Sequence, residues 1–336
     1  MEKKRIAFVD MPAKRVQSYF LKVLKRLCDV EIVDKVVADY VFYSVFGDDH
    51  LFANDHSIKI FYTGENRTPD FNECDYAIGF DHIYYGDRYL RYPLYYLYED
   101  MMLLAEKKHL DIDEKHLLSE KTDFCSVTVS NTNRPPNFFQ MAEALEAYKP
   151  LDYGGSWKNN VGGNVQDKLA FDRTHKFTMA FEHTGYSGYI TEKIVEAFAA
   201  RTIPIFWGDP AVVEVFNPRA FINVHNYSGV SAVVDVVRKL DEDKELYLAM
   251  QREPMYVRQG YALENAEKQL EGFLSHILFQ PTSRAIRRTP FAMVTQPERR
   301  TMQRAYWKSK RPFFPIWVAS RIKSKVLDKW KQRSRN

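Results

Sequence analysis

The sequence predicts an α/β protein built from two Rossmann-like domains, and three observations support this class. Short apolar runs alternate with helical patterns from the first residues onward, which is typical of a mainly parallel sheet. The alternation stops in a glycine- and asparagine-rich stretch at 149–167 and then starts again. The chain has 336 residues, of which 45% are hydrophobic, and this is enough for two cores. We therefore expect a first domain at 1–150, a second at 151–283, and a tail at 284–336.

The first domain is predicted to begin with a strand and an amphipathic helix. The strand is the run RIAFVD at 5–10, and the helix covers 13–27. Apolar residues at helical spacing lie on one face of that helix: Val16, Phe20, Val23, Leu24 and Leu27. Four more apolar runs predict strands at short spacing: VEIVD, DYVFYSVF, IKIFYTGE and DYAIGF. A helix-rich stretch at about 93–121, a strand at 124–131 and a helix at 138–148 complete this domain.

The segment KPLDYGGSWKNNVGGNVQD at 149–167 is either a linker or a glycine-rich loop of the second domain. Beyond it, the runs KFTMAFEHT, IPIFW and AFINV predict strands, separated by helices at 190–200 and near 211–216. Three more helices are predicted at 230–241, 243–252 and 262–278. Ligands of open α/β sheets bind beyond the carboxyl ends of the strands, so functional residues are expected in the loops that follow them.

Composition and the amino-terminal segment indicate a cytoplasmic protein. The three cysteines, Cys28, Cys74 and Cys125, have no metal-type spacing, and so sparse and odd a count indicates a reducing compartment. The apolar run in MEKKRIAFVDMPAKR is too short for the hydrophobic region of a signal peptide. No segment of the sequence approaches the length of a membrane span.

The stretch FEHTGYSGYITEK at 181–193 carries an unusual pair of charges. A glycine- and aromatic-rich loop ends in Glu192 and Lys193 at the expected start of a helix, where free N–H groups and the helix dipole favour phosphate. Successive residues point about 100° apart around a helix, so Lys193 can hold a pyrophosphate while Glu192 accepts hydrogen bonds from a ribose. The alternative is that Glu192 only complements the dipole and Lys193 is solvated.

Two long blocks of the sequence are more specific than this single loop. They read FYTGENRTPDFNECDYAIGFDHIYYGDRYLRYPLYY at 61–96 and FEHTGYSGYITEKIVEAFAARTIPIFWGDP…FNPRAFINV at 181–224. Together they resemble the α-1,3/4-fucosyltransferase family, especially its bacterial members, and the resemblance covers about 20–280. It implies a GT-B fold, with two Rossmann-like domains facing a cleft. It also implies an inverting transferase that moves fucose from GDP-β-L-fucose to the GlcNAc or Glc of an N-acetyllactosamine- or lactose-type acceptor.

On this resemblance, residues of the second domain bind the donor. Glu192 is expected at the ribose and Lys193 at the pyrophosphate, and Tyr189 matches a family tyrosine that lies against the nucleotide. The family also supplies an arginine for the phosphates from the region after SN, which here reads SNTNRPPNFF at 130–139. Arg134 is the only arginine in that region. It lies earlier than in the family and precedes two prolines, and its alternative is an ordinary surface arginine.

A second departure from the family lies at the end of a predicted strand. The family commonly has Phe-Glu-Asn where this chain has Phe181, Glu182 and His183. A histidine still donates or accepts a hydrogen bond, so His183 is expected to contact the donor, and its titration would add pH dependence. A purely structural histidine is the alternative. Glu182 is the second candidate for the catalytic base or for contact with the sugar.

Inversion by a single displacement requires a base on the face opposite the leaving GDP, because a sugar hydroxyl is a poor nucleophile. Glu65 follows a predicted strand of the first domain, and Gly64 gives the backbone freedom beside it. Glu65 also matches the family glutamate proposed as the base. The alternative is a loop glutamate without a role. Tyr62 precedes it in the same motif and is expected on the acceptor side.

No essential metal or other cofactor is expected. The motifs DID at 111–113 and DED at 241–243 resemble diphosphate–metal motifs, but both flank predicted helices and are interpreted as N-caps or solvated faces. The GT-B transferases generally use basic side chains and a helix dipole instead. Two other functions stay open. One is a GT-B transferase with another donor sugar or linkage, and the other is a non-catalytic, membrane-associated glycan or nucleotide binder.

The tail differs in charge from the rest of the chain. Residues 284–336 contain 16 lysines and arginines and two acidic residues, a net charge of +14, which leaves −10 on 1–283. An amphipathic helix is expected after Pro315, with apolar residues at every fourth position: Val318, Ile322, Val326 and Trp330. We expect 312–336 to bind the inner face of the cytoplasmic membrane peripherally. Docking on the acidic body is the first alternative, and nucleic-acid binding is not expected.

Overall fold

The computed structural model describes residues 3–110 and 112–289, and the chain divides into two compact units, 1–287 and 288–336. The fold given below is that of the first unit, which contains two parallel sheets. The tail helix predicted after Pro315 lies outside the described residues.

The first sheet has six parallel strands. These are β1 (Lys3–Val9), β2 (Asp29–Ile32), β3 (Tyr40–Tyr43), β4 (Ile58–Tyr62), β5 (Tyr76–Gly79) and β6 (Tyr89–Arg91). Their order is β2-β1-β3-β4-β5-β6. β3, β4 and β5 are buried along their whole length, as expected for parallel strands that are covered on both faces. Tyr43 at the end of β3 pairs with Phe61 of β4, so the loops that follow these strands leave the same edge side by side.

The second sheet has five parallel strands. These are β7 (Asp123–Val127), β8 (Asp152–Tyr153), β9 (His175–Phe181), β10 (Ile203–Trp207) and β11 (Ile222–Asn223). Their order is β11-β10-β9-β7-β8, which places β9 at the centre. Phe181 at the end of β9 pairs with Trp207 at the end of β10. The segment after β9 therefore leaves the carboxyl edge of the sheet in its middle, where ligands of such sheets bind.

The chain passes from the first sheet to the second before residue 150. The sequence analysis had placed this boundary at residue 150. β7 and the helix after it belong with the second sheet, because β7 pairs with both β8 and β9. The glycine-rich stretch at 149–167 contains β8, so it is part of the second sheet and not a linker. A two-residue edge strand carries no periodic signal, and the pairing of β7 is a long-range contact that sequence patterns do not report.

Ten helices surround the sheets in the described part of the chain. They are α1 (Lys14–Leu27), α2 (Glu99–Glu106), α3 (Glu114–Glu120), α4 (Pro136–Glu146), α5 (Lys168–Arg173), α6 (Lys193–Ala199), α7 (Val230–Glu242), α8 (Lys244–Arg252), α9 (Leu263–Phe279) and α10 (Thr282–Ala285). The predicted apolar face of α1 is confirmed, since Val16, Phe20, Val23 and Leu24 are buried. α6 packs against α2 and thereby joins the second sheet to the first.

α9 was predicted within the second domain, but it packs on the first sheet. Its neighbour is α1, and the Tyr40 hydroxyl of β3 donates a hydrogen bond to the Leu278 carbonyl over 3.1 Å. Gln280 Nε2, just beyond the helix, donates to the Tyr76 hydroxyl over 2.8 Å. The buried face of α9 is continuous with the core of the first sheet. Its own amphipathic pattern predicts the helix but not the surface that covers it.

Other local differences from the sequence prediction concern short elements. β6 and β8 were not predicted, and the segment near 211–216 is a single turn of 3₁₀-helix at Val212–Glu214. α6 begins at Lys193, three residues later than expected. None of the helices within 3–110 and 112–289 has the length and apolar character needed to cross a membrane.

Candidate functional site

Three loops from the carboxyl edges of the two sheets meet at one place. They are the β4 loop (63–68), the β5–β6 loop (80–88) and the β9–α6 loop (182–192). Asn66 Nδ2 donates a hydrogen bond to Thr184 Oγ1 over 2.6 Å. The Phe80 ring lies against Tyr189, with 5.1 Å between ring centroids. These contacts bring the β4 loop, which carries Glu65, next to the β9–α6 loop, which carries Tyr189 and Glu192.

Glu182 closes the two ends of the β9–α6 loop onto each other. Its side chain is fully buried, and Oε1 accepts hydrogen bonds from Thr191 N over 2.7 Å and Thr191 Oγ1 over 2.8 Å. Oε2 accepts a third from Lys193 Nζ over 2.9 Å. A carboxylate so enclosed holds the loop in shape and cannot reach an acceptor hydroxyl. This burial argues against Glu182 as the alternative base.

Lys193 and Glu192 are linked to each other at the start of α6. Lys193 Nζ lies 3.4 Å from Glu192 Oε1 and donates to Thr191 Oγ1 over 2.6 Å. Burial opposes the positive charge of Lys193, but the carboxylates of Glu182 and Glu192 outweigh it and raise the pKa of the lysine. Burial also opposes the charge of Glu192, and the ammonium group of Lys193 lowers its pKa in return. Both groups are therefore ionised at neutral pH.

Arg134 and His183 lie beside this charged group, from the loops after β7 and β9. Arg134 Nη1 donates to the Phe181 carbonyl over 2.9 Å. Burial lowers the pKa of Arg134, while the charges of Glu182 and Glu192 act in the opposite direction. Burial also lowers the pKa of His183, and the positive charges of Arg134 and Lys193 lower it further. The cations Arg134 and Lys193 are thus close enough to act on the same neighbour.

Glu65 lies on the other sheet, one residue from the contact between Asn66 and Thr184. The residue is exposed, and its carboxylate accepts no hydrogen bond from any side chain within the described residues. Its backbone is held by two bonds, from Glu65 N to Thr63 Oγ1 over 2.9 Å and from Arg67 N to the Glu65 carbonyl over 2.7 Å. An unengaged carboxylate is able to accept a proton from a group that comes within hydrogen-bond reach.

The two predicted tyrosines are both buried, and they differ in what they face. Tyr189 is 3% exposed. Burial raises its pKa, and the negative charges of Glu182 and Glu65 add to this effect. Tyr62 is 1% exposed in the core of the first sheet, edge-on to Phe20 at 4.9 Å. A side chain so deeply buried supports the β4 loop from the core of the first sheet, and the place of Tyr62 on the acceptor side stays a prediction.

The acidic motifs that were considered for metal binding are structural where they are described. The Asp113 side chain caps α3 by accepting from His116 N, and the Asp243 side chain caps α8. Asp241 was interpreted as a cap or a solvated residue, but it is buried and paired with Lys149 and Lys176. Asp111 lies outside the described residues. These contacts confirm the capping interpretation for two of the four aspartates.

One further group has the donor atoms of a metal site. Asp123, Asp152 and His175 place ligand atoms within 4.8 Å of one another. They start β7, β8 and β9, so they lie at the sheet edge opposite the β9–α6 loop. Both ring nitrogens of His175 already have partners, Asp152 Oδ2 at 3.0 Å and the Phe171 carbonyl at 2.8 Å. This group is separate from the site formed by the three loops.

Sequence reasoning missed the residues that join the loops. Asp81 and Tyr186 are hydrogen-bonded to each other, and neither was singled out. Asp81 lies two residues beyond the end of β5, and a carboxylate beyond the carboxyl end of a parallel strand is a signal that the sequence did contain. The sequence contained no such signal for Tyr186, because an aromatic residue in a glycine-rich loop does not indicate which strand end it will contact.

Comparison with known proteins places the chain in a family. Residues 6–98 match the model of the α-(1,3)-fucosyltransferase FucT N-terminal domain, and 118–268 match the carboxyl-terminal model of glycosyltransferase family 10 (fucosyltransferase). The α-(1,3)-fucosyltransferase FucT of Helicobacter pylori is 35% identical over 73% of this chain and 58% of its own length. A putative fucosyltransferase of Acanthamoeba polyphaga mimivirus is 23% identical over 78% of this chain and 44% of its own length. The chain thus spans about half the length of these curated relatives.

Solved structures give the same result for the fold. A crystal structure of an α1,3-fucosyltransferase with GDP superposes with a TM-score of 0.68 at 30% identity, over 83% of this chain and 91% of that one. The structure of an α1,3-fucosyltransferase with GDP-fucose gives 0.69 at 29% identity, over 83% and 92%. This similarity confirms the expected GT-B architecture. From the two family models and the shared fold we conclude that the chain belongs to glycosyltransferase family 10, the fucosyltransferases.

Proposed function

We propose that this chain is an inverting α-1,3-fucosyltransferase that transfers L-fucose from GDP-β-L-fucose to the GlcNAc or Glc of N-acetyllactosamine- or lactose-type acceptors. Family membership supports the reaction class, and the solved relatives with GDP and with GDP-fucose support the donor. The observation that carries the proposal is the arrangement of charge. An unengaged carboxylate, Glu65, lies on one sheet, and it is linked through Asn66 to the loop of the other sheet that leads to Lys193.

The donor is proposed to bind on the second sheet. Its pyrophosphate would replace the carboxylate of Glu192 as partner of Lys193, while the buried Glu182 keeps its bond to the lysine, and Arg134 would share the same phosphates. The exchange is favourable because a diphosphate offers more negative charge than a single carboxylate and accepts several hydrogen bonds from each cation. Glu192, released from Lys193, is then available to the ribose hydroxyls. Tyr189 would lie against the nucleotide, and His183 beside the phosphates.

The transfer step follows from the position of Glu65. The acceptor hydroxyl attacks the anomeric carbon of fucose from the face opposite GDP, and Glu65 takes the hydroxyl proton as the new bond forms. The bond to the phosphate oxygen breaks, and GDP leaves with its additional negative charge. Arg134 and Lys193 stabilise this charge where it develops. In this proposal no metal is essential, because the two basic side chains supply the positive charge.

The proposal is tested with the purified full-length chain, GDP-fucose and either lactose or N-acetyllactosamine. We expect GDP release that depends on the acceptor, and a product with an α-linked fucose at O3 of GlcNAc or Glc by NMR. The same assay in EDTA should give the same rate. Binding of GDP-fucose with no acceptor-dependent release of GDP would leave a donor-binding protein, and a product formed only from another sugar nucleotide would replace GDP-fucose as the donor.

A further inference from the structure

A buried carboxylate joins the loops of the two sheets. Asp81 is 2% exposed, and its Oδ1 accepts hydrogen bonds from Thr68 Oγ1 and from the Tyr186 hydroxyl, each over 3.2 Å. Thr68 belongs to the β4 loop, which carries Glu65. Tyr186 belongs to the β9–α6 loop, which leads to Lys193. One oxygen atom therefore holds donors from both halves of the proposed site.

A second contact and a close backbone approach support the same junction. Asn66 Nδ2 donates to Thr184 Oγ1 over 2.6 Å, so the residue next to Glu65 is bound to the β9–α6 loop. Gly188 has a positive φ of 85°, and a Cβ atom at this position would lie 2.6 Å from the Phe80 carbonyl oxygen. The β9–α6 loop is thus held against the first sheet along its length.

The chemistry of this junction is not that of a stabilising core contact. Asp81 Oδ2 is buried and has no hydrogen-bond partner within the described residues. A buried carboxylate that is only half satisfied is costly, and this indicates that the position serves something other than stability. Tyr186 is 43% exposed, so its ring is not needed to fill the core, and its hydroxyl points to Asp81.

We propose that Asp81 and Tyr186 are positioning residues, which hold the β9–α6 loop against the β4 loop. They thereby keep Glu65 and the bound donor at a fixed distance and orientation. This inference rests on the proposed function. With the loops joined, the attacking hydroxyl of the acceptor lies between Glu65 and the anomeric carbon. With the junction broken, the donor still binds through Lys193 and Arg134. Water then replaces the acceptor more often, and GDP-fucose and water give GDP and free fucose.

The test compares Tyr186→Phe and Asp81→Ala with Tyr84→Phe as the matched control. Tyr84 lies in the β5–β6 loop and is 93% exposed. In the two junction variants we expect kcat/KM for the acceptor to fall about tenfold, the effect of one hydrogen bond. GDP affinity by calorimetry should stay within about twofold, and the ratio of free fucose to fucosylated product should rise. The double variant should lose no more than Asp81→Ala alone, since that change already removes the acceptor of the Tyr186 hydroxyl.

Each result decides the inference separately from the proposed function. If the wild-type chain forms no fucosylated product, the proposed function fails. If it forms product but Tyr186→Phe keeps the wild-type acceptor kcat/KM and hydrolysis ratio, the positioning role is overturned. The positioning role would also be overturned if GDP affinity and the acceptor kcat/KM fell by the same factor and Tm fell with them, because this would show a merely structural contact. Should Asp81→Ala fail to fold, Tyr186→Phe alone decides, since it removes only a hydroxyl group.

Discussion

Glu65 is the side chain on which the proposed chemistry depends most. Glu65→Gln keeps the shape of the side chain but cannot accept a proton, so we expect transfer to fall by roughly 10²- to 10⁴-fold. GDP binding should stay close to that of the wild-type chain, because the donor residues lie on the other sheet. Product formation and GDP calorimetry measure the two effects. Glu143→Gln, an exposed change on α4, is the control. Wild-type turnover in Glu65→Gln would show that the base is another group.

Lys193 and Glu192 are expected to differ in which half of GDP they bind. Lys193→Ala should lower the affinity for GDP relative to guanosine by about 10- to 100-fold, the range for hydrogen bonds to charged groups. Glu192→Ala should weaken GDP and guanosine alike, since both contain the ribose. Calorimetry with the two ligands separates these effects. The assignment of Lys193 to the phosphates is wrong if Lys193→Ala lowers the affinity for guanosine by the same factor as the affinity for GDP.

His183 should make GDP binding dependent on pH. Burial and the charges of Arg134 and Lys193 lower its pKa, so it is neutral in the free protein at neutral pH. A diphosphate beside it would raise this pKa, because an anion favours the charged form of histidine. Binding then takes up a proton in the window between the lowered pKa of the free protein and the raised pKa of the complex. GDP affinity should therefore rise as pH falls through that window.

Calorimetry between about pH 8 and pH 6, in two buffers of different ionisation enthalpy, measures this proton uptake. His183→Asn is the control, because an amide does not titrate and the phosphates of GDP contribute equally in both proteins. The contact between His183 and the donor is contradicted if the two proteins take up the same number of protons.

The β9–α6 loop requires glycine at position 188. Gly188→Ala puts a Cβ atom into the Phe80 carbonyl oxygen and strains a backbone with φ of 85°, so we expect transfer to fall by more than tenfold. Gly162 has a similar φ of 82°, with nothing within 4 Å of the added atom. Gly162→Ala should therefore show only the backbone strain, about 1–2 kcal/mol in urea unfolding, with normal activity. Equal activity in the two variants would mean that the loop does not need its contact with the first sheet.

Local patterns predicted most of the strands and helices, because each depends on residues near in sequence. The apolar face of α1 and the capping roles of Asp113 and Asp243 are of this kind. The candidate site residues were also found near strand ends, where parallel sheets place them. The features that the local patterns did not predict depend on contacts between residues far apart in the sequence or on the burial of a side chain. β7 joins β9 across a long separation in the chain, and the burial of Glu182 follows from its contacts with Thr191 and Lys193.

The charge of the whole molecule is divided between the body and the tail, −10 on 1–283 and +14 on 284–336. Each basic residue near an anionic membrane surface contributes on the order of 1 kcal/mol, and several together are enough for reversible binding. In the proposed anchor, Trp317 and Trp330 would add apolar contact with that surface. The tail from residue 290 onward lies outside the described residues, so the membrane role proposed for 312–336 rests on this sequence argument.

Truncation after Arg311 separates the proposed anchor from the catalytic unit. The shortened chain should keep its activity on soluble acceptors and gain solubility, because the described site involves no residue beyond 287. It should also lose co-sedimentation with anionic liposomes, which high salt should weaken in the full chain by screening exposed charge. Neutral liposomes are the control, since they lack the charge that the tail recognises. If truncation lowers activity and Tm together, residues 312–336 are docked structure and the anchor role is wrong.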